Sequence, residues 1–392
     1  MSTNTNTYNS LGVSSTKEEV HKAIEKLDKG IYTGAFCKLI PDPAGDPQWC
    51  AAMHADGAGT KSSLAYLMFR ETGDFGVYRG IAQDSVVMNI DDMLCVGATD
   101  GFVMSNTIDR NAHLVGGEAI SAVIEGYASF LDTLSQYGVN VSMSGGETAD
   151  VGDLARTLIV NSTLFVRMKR GDVINCDNIR PGDVIVGFAS YGQCRYETCY
   201  NAGMGSNGLT AARHLLLDKS YADKYPETYS PTIDRDKVYC GKYLVTDNLP
   251  GTGVTVGAAI LSPTRTYAPV IADLLGRIRS DIHGMIHCTG GGLVKCRNFG
   301  KGVRYVKDDL IDVPPLFRAI YESGAISLRE MYQTFNMGCR LEIILPESRA
   351  AAVIDTARKY EIQAKVIGHV EETSGVNKVA LKDVIEGQTF EY

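Results

Sequence analysis

The stretch His54-Ala55-Asp56-Gly57-Ala58-Gly59-Thr60-Lys61 places the tightest limit on how this chain can fold. The run before it, Trp49-Cys50-Ala51-Ala52-Met53, is apolar, and residues 62–68 behind it have the composition of a helix start. The spacing therefore predicts strand, glycine turn, helix, the unit from which layered α/β folds are built. Gly57 and Gly59 let backbone N–H groups come close to an anion, Thr60 adds a hydroxyl, and Lys61 adds a mobile positive charge. A tight surface turn is the alternative reading of the same residues.

Apolar periodicity predicts helices over 17–27, 62–69, 80–96, 116–137, 209–217, 267–278, 316–323 and 347–360. Strands are expected over 103–108, 140–143, 158–168, 184–188, 341–345 and 364–369. The turn-rich, charged segment 169–183 reads as a joint, giving an N-terminal domain of residues 1–168 and a C-terminal domain of 169–392. Helices and strands alternate in both halves, so the class is α/β or α+β with two layered domains. The polar, Tyr-rich segment 218–238 is expected to be a surface excursion.

Composition narrows the function. A net charge of −8 with no basic block argues against broad nucleic-acid binding, though not against an anionic substrate. No apolar run is long enough for a membrane span, and residues 1–10 lack the apolar core of a signal peptide. The ten cysteines are scattered without a C-x-x-C pair, so buried, reduced thiols in the cytoplasm are expected.

Acidic residues recur at turns and on one helix of the first half: Asp56, then Asp84 with Asp91 and Asp92, then Glu147 in Ser144-Gly145-Gly146-Glu147-Thr148. Seven and eight residues separate Asp84 from Asp91 and Asp92, which puts them on one helical face. Carboxylates drawn from separate turns suit magnesium shared with phosphate oxygens; helix caps and solvent-facing acids are the alternative. The second half offers Met204-Gly205-Ser206-Asn207-Gly208 ahead of a helix, where amides can face an anion, and His287-Cys288-Thr289-Gly290-Gly291-Gly292-Leu293. Three consecutive glycines point to close approach of a ligand or of another backbone. No Walker A sequence, no G-x-G-x-x-G in a βαβ frame and no G-x-S-x-G elbow is present.

Taken in order, these pieces resemble the aminoimidazole ribonucleotide synthetase family, also called phosphoribosylformylglycinamidine cyclo-ligase. The matching runs are Asp56 to Lys61, Asp84 through Asp91-Asp92 to Gly97-Ala98, Gly145-Gly146-Glu147-Thr148-Ala149, and Ser206-Asn207-Gly208. They continue with Ser262-Pro263-Thr264-Arg265-Thr266-Tyr267, the His287 to Leu293 run, and Glu330-Met331-Tyr332-Gln333-Thr334-Phe335-Asn336-Met337-Gly338. The resemblance extends over residues 8–371, and its last three pieces are its most specific.

The resemblance implies an enzyme that uses ATP to phosphorylate the formyl amide oxygen of formylglycinamidine ribonucleotide, after which the amidine closes the imidazole ring. Products are aminoimidazole ribonucleotide, ADP and phosphate, in purine biosynthesis. It implies a homodimer whose N-terminal domains pair into a β-barrel, with ATP in a cleft completed by the C-terminal α/β domain. By the same carry-over, an exposed Lys61 meets ATP phosphates, and Asp56, Asp92 and Glu147 hold Mg²⁺. Gly57, Gly59, Thr60, Asp84, Gly145, Gly146, Thr148, Ser206, Asn207, Gly290, Gly291 and Gly292 line the nucleotide site, and His287 contacts reacting groups beside Lys61 and Asp92.

Four departures bear on ligand contacts. Asp91 stands where the family has Asn, Met204-Gly205 replaces Pro-His behind an insertion at 193–201, and Asp150-Val151-Gly152-Asp153 replaces Met-Pro-Gly. The N-terminal glycine loop is reduced to residues 30–34. Selenophosphate synthetases, hydrogenase-maturation dehydratases, thiamine phosphate kinases and a non-catalytic nucleotide-binding paralogue are the competing readings.

Overall fold

The computed structural model describes residues 7–13, Ala23 and 26–392. The helix expected over 17–27 lies largely outside them. Two sheets divide the chain. The first has strand order β1-β2-β5-β3-β4, with β1 Ile40–Pro41, β2 Trp49–Gly57, β3 Phe102–Arg110, β4 Val141–Asp150 and β5 Leu158–Lys169. Burial along β5 alternates residue by residue, so Leu158, Val160, Ser162, Leu164, Val166 and Met168 form one packed face. Helices α1 (Lys61–Thr72), α2 (Arg79–Leu94) and α3 (Gly117–Gln136) cover that face.

The second sheet runs β12-β11-β8-β10-β6-β9-β7. Its strands are β6 Asp183–Ala189, β7 Gly284–His287, β8 Val303–Lys307, β9 Cys339–Pro346, β10 Ala364–Glu372, β11 Lys378–Lys382 and β12 Thr389–Glu391. Around it lie α4 (Leu209–Leu216), α5 (Ala268–Ile278), α6 (Pro315–Glu322), α7 (Leu328–Thr334) and α8 (Glu347–Lys359). Every residue of β6 is buried, as a mid-sheet strand covered on both faces must be.

The architecture is the mixed α/β, two-layer arrangement that the alternation of elements predicts. Both sheets are open, and no closed barrel occurs among the described residues. Two local expectations are corrected and a third is met only in part. β4 does not turn at Ser144; it runs through Gly145-Gly146-Glu147-Thr148, paired parallel to β3 across a register shift at Met104/Ser105. Residues 218–238 lie at the surface as expected, with 231, 232 and 234–237 exposed, but buried tyrosines anchor them: Tyr221 stacks on Tyr225, and Tyr229 and Tyr239 pack against His214. All ten cysteines are free, but Cys199 and Cys240 are exposed rather than buried. Among the described residues no helix is long and apolar enough to cross a membrane.

Candidate active site

Helix α2 is the spine of the site. Twelve of its residues are buried, because it is wedged between the first sheet and the second domain. A helix buried on all sides has no solvent face, so its carboxylates must find partners inside the protein. Asp84 and Asp91 are fully buried and the Asp92 side chain is 15% exposed, so these three are not solvent-facing acids, whereas Asp56 and Glu147 are exposed.

Asp84 meets Lys61 at 2.6 Å, and both side chains are completely shielded from solvent. The Lys61 ammonium also donates to the carbonyls of Ser262 (2.6 Å) and Met204 (3.3 Å), so its three N–H bonds are all engaged. Thr264 donates both its backbone N–H, at 2.8 Å, and its hydroxyl to the same Asp84 oxygen. Burial pushes the lysine below its usual range, against the pull of Asp84. The expectation of an exposed Lys61 is therefore corrected: it is buried and ties helix α1 of one domain to the Ser262–Thr264 turn of the other, with its three N–H bonds engaged in this structure.

Asp91 turns away from Asp92. It accepts from the Thr266 hydroxyl (2.6 Å) and from the backbone N–H of Tyr267 (3.2 Å), a second tie between the domains. Asp92 instead receives His287 Nδ1 at 2.7 Å and His54 Nε2 at 3.3 Å, one on each carboxylate oxygen.

The proton positions in this group follow from its hydrogen bonds. Asn89 donates through Nδ2 to the carbonyls of Ser85 (2.8 Å) and Ser162 (3.1 Å), so Oδ1 is the atom facing His54 Nδ1 at 2.9 Å. An amide oxygen and a carboxylate both only accept. His54 must then donate from both nitrogens and is an imidazolium. Burial opposes that charge, yet the bonds to Asp92 and Asn89 and the nearby Asp56 hold its pKa above the usual value. Burial works to raise Asp92 as well, and is outweighed by Lys295 and the two imidazoles, which keep it well below the carboxylate range.

His287 is the opposite case. Burial pushes it down to about 4 despite Asp92, so it is neutral, donates from Nδ1, and leaves Nε2 as a buried base without a hydrogen-bond partner. The order His54⁺, Asp92⁻, His287 is an oriented base with its counter-charges in place. His54, Asn89 and Lys295 were not singled out from sequence. His54 was legible only as part of the Asp56 turn, two residues along the same strand face.

The remaining expected site residues separate into two groups. Thr60 bonds the Thr210 hydroxyl at 3.0 Å, and Gly290 lies 3.4 Å from the Asn207 amide nitrogen, measured from the Cβ it lacks. The 56–61 turn, the Ser206-Asn207 turn and the triple-glycine turn thus converge. Gly59 has φ +60 with open space beside it, whereas a Cβ on Gly292 would stand 2.4 Å from the Tyr332 carbonyl. Close approach of another backbone accounts for Gly292. The N-cap amide ahead of α4 is also engaged: Gly208 N donates to the Tyr8 hydroxyl at 3.2 Å.

Gly145, Gly146, Glu147 and Thr148 form the second group, on β4. Register pairs Glu147 with Thr107, Thr107 with Asn161 and Asn161 with Gly57, while Asp56 pairs with Ser162 on the packed face. Glu147 therefore occupies the outer face of the sheet and Asp56 the inner one. The backbones of β2 and β4 stand about 14 Å apart, with β5 and β3 between them. Glu147 is thereby set apart from Asp56 and Asp92, both of which act on His54. Among the described residues no group of three or more His, Cys, Asp or Glu side chains is placed to hold a metal ion.

Both halves of the chain match AIR synthase related proteins. Residues 34–168 match their N-terminal domain and 180–379 their C-terminal domain, and the chain belongs to that family. The phosphoribosylformylglycinamidine cyclo-ligase of Methanococcus vannielii is 27% identical over 377 residues, 95% of this chain and 90% of the relative. That of Methanocaldococcus jannaschii is 28% identical over 336 residues, 85% of this chain and 82% of its own. Among solved structures, a chain of a HypE-HypF complex superposes with a TM-score of 0.57 at 13% identity, covering 97% of this chain and 99% of that one. T. maritima PurL complexed with FGAR gives 0.54 at 17% identity, over 96% of this chain and 49% of PurL, so this chain spans about half of PurL's length. These structures share the fold.

Proposed function

We propose that the protein is an ATP-dependent cyclo-ligase converting formylglycinamidine ribonucleotide to aminoimidazole ribonucleotide, ADP and phosphate. The full-length relatives of that name support the activity. The observation that carries the chemistry is the free Nε2 of His287, held neutral and oriented by Asp92. An amide oxygen is a poor leaving group until ATP phosphorylates it; the amidine nitrogen then attacks the carbon, the C–O bond to phosphate breaks, and one N–H proton must leave. His287 Nε2 takes that proton, and the His54 imidazolium steadies the Asp92 charge behind it. In the conformation seen here Nε2 is sealed. The turns beside it carry left-handed glycines at 203, 208, 291 and 292, and admitting substrate to Nε2 requires these turns to shift.

The carboxylates do not make a protein-built magnesium site, because both oxygens of Asp92 face histidines and Glu147 is on the far face. Asp56, exposed at the end of β2, is the carboxylate left to meet Mg²⁺ carried by ATP phosphates. We assign ATP binding and dimerisation to residues 1–168 and completion of the cleft to 169–392. The outer face of the first sheet supports a homodimer: Met53, Phe165 and Val103 form a row across three strands, with Met53 67% and Val103 41% exposed. A barrel formed by two such sheets would bring Glu147 to the partner. Ten free thiols fit a reducing compartment such as the cytoplasm.

The test is a coupled assay of ADP release with and without formylglycinamidine ribonucleotide, repeated in EDTA. Ribonucleotide-dependent release that chelation abolishes is the expected result. Release indifferent to the ribonucleotide would assign the chain to another ATP-using branch of the superfamily.

A further inference from the structure

Arg340 is the largest polar group at the domain junction without a hydrogen-bond partner. It is 1% exposed, and its Nε, Nη1 and Nη2 atoms are all buried and unbonded. A guanidinium is always charged and carries five N–H donors, so leaving it unbonded inside a protein is costly. Its surroundings do not relieve that cost. The Tyr267 ring lies 5.6 Å from Cζ and covers one face, which satisfies no N–H. Asp91 is near enough to feel its charge, but bonds Thr266 and Tyr267 instead.

The backbone aims this side chain deliberately. Between β6 and β9, Ala189 pairs with Cys339 and Phe188 with Leu341, so Arg340 is the extra residue of a β-bulge. Bulges redirect side chains and are common beside active sites. Here the redirected arginine reaches the Met204–Gly208 turn: a Cβ on Gly205 would stand 3.7 Å from its Nη1. The further buried polar atoms without partners at this junction include Asp84 Oδ2, Ser206 Oγ in that turn and His287 Nε2, whose imidazole feels the Arg340 charge.

We propose that Arg340 is a ligand-contacting residue, its guanidinium binding a phosphate group delivered to this cleft with Ser206 Oγ as a second donor. The fork of N–H donors matches a phosphate or phosphoryl group bidentately, which a lysine cannot do. The inference rests on the reading that the cleft takes ATP and a phosphorylated ribonucleotide, and either ligand can supply the phosphate.

The experiment is calorimetric titration of wild type, Arg340→Met and Arg340→Lys with a non-hydrolysable ATP analogue and, separately, with formylglycinamidine ribonucleotide. Loss of a charge-assisted bidentate contact is expected to weaken one ligand about 10- to 100-fold in Arg340→Met and partly in Arg340→Lys, the other ligand being unaffected. Weakened analogue binding assigns the phosphate to ATP; weakened ribonucleotide binding assigns it to the 5′-phosphate. The ligand-free Met variant should melt at or above wild type, because the arginine it removes has no partner. Unchanged affinity for both ligands overturns the proposal, as does a fall in ligand-free melting temperature in both variants. A wild type that binds neither ligand overturns the functional reading itself, which separates the two failures.

Discussion

Two carboxylates on one helix, eight residues apart, have opposite fates. Asp84 faces an ammonium whose every proton is engaged, both side chains are shielded from solvent between the domains, and its own Oδ2 has no partner. Asp92 faces two imidazoles, one charged and one neutral, and the neutral one keeps an unused nitrogen. Both are buried ionic contacts across the same junction, so burial alone does not mark chemistry. The difference lies in the partners: an ammonium with every donor engaged holds the structure, and a neutral imidazole with one oriented lone pair to spare can move a proton.

That comparison breaks or sharpens on substitution. His287→Gln removes the spare lone pair, and ribonucleotide-dependent ADP release should fall about 10²- to 10⁴-fold while the urea midpoint moves little. Wild-type turnover in that variant would sink the base assignment. Lys61→Ala should do the reverse in kind. Stranding the buried Asp84 charge should cost about 3–5 kcal/mol in urea denaturation, whereas a Lys61→Met/Asp84→Leu pair recovers most of it. A Lys61→Ala protein as stable as wild type would return the lysine to the ligand side.

The sequence made the alternation of elements legible, and with it the two-layer class, because periodicity reports which face of each element is buried. It also made the shared face of Asp84, Asp91 and Asp92 legible, since helical spacing fixes direction. It could not say what each carboxylate meets, because Lys61, Thr266 and His287 arrive from other elements through tertiary packing. Glu147 illustrates the limit: two adjacent glycines read as a turn, but strand pairing carried the chain through them and put the carboxylate on the opposite face. Arg340 was invisible for a related reason, since a bulge depends on the register of two strands far apart in sequence.

A pH series separates the two histidines of the relay. Burial lowers His287 to about 4, below its unfolded value of about 6.5. The stability tied to its neutral form is therefore present above about pH 6.5 and is lost as pH falls through about 4. His54 is raised, so its contribution is present below about pH 6.5 and is lost as pH rises through its folded value. The kcat/KM profile should be a bell whose acid limb lies well below pH 6.5, and His54→Gln should lose the alkaline limb. An alkaline limb unchanged in that variant would remove His54 from the relay, the coupled unit being what titrates.

Asp91, the third carboxylate of the helix, should give the smallest effect and the finest distinction. Burial raises it to about 7, more than Arg340 and the Thr266 and Tyr267 hydrogen bonds can offset. Its unfolded value is about 3.9, so the stability it contributes is present below that pH and is lost as pH rises through about 7. Asp91→Asn keeps the size and an acceptor oxygen for Thr266 and Tyr267 but cannot titrate. Between pH 5 and pH 8 the variant should therefore gain stability relative to wild type, with turnover little changed. A variant that instead loses ground as pH rises would mean that Asp91 is ionised and paired with Arg340. The helix would then hold two structural ion pairs beside one catalytic carboxylate, and the guanidinium would no longer be free to bind a phosphate.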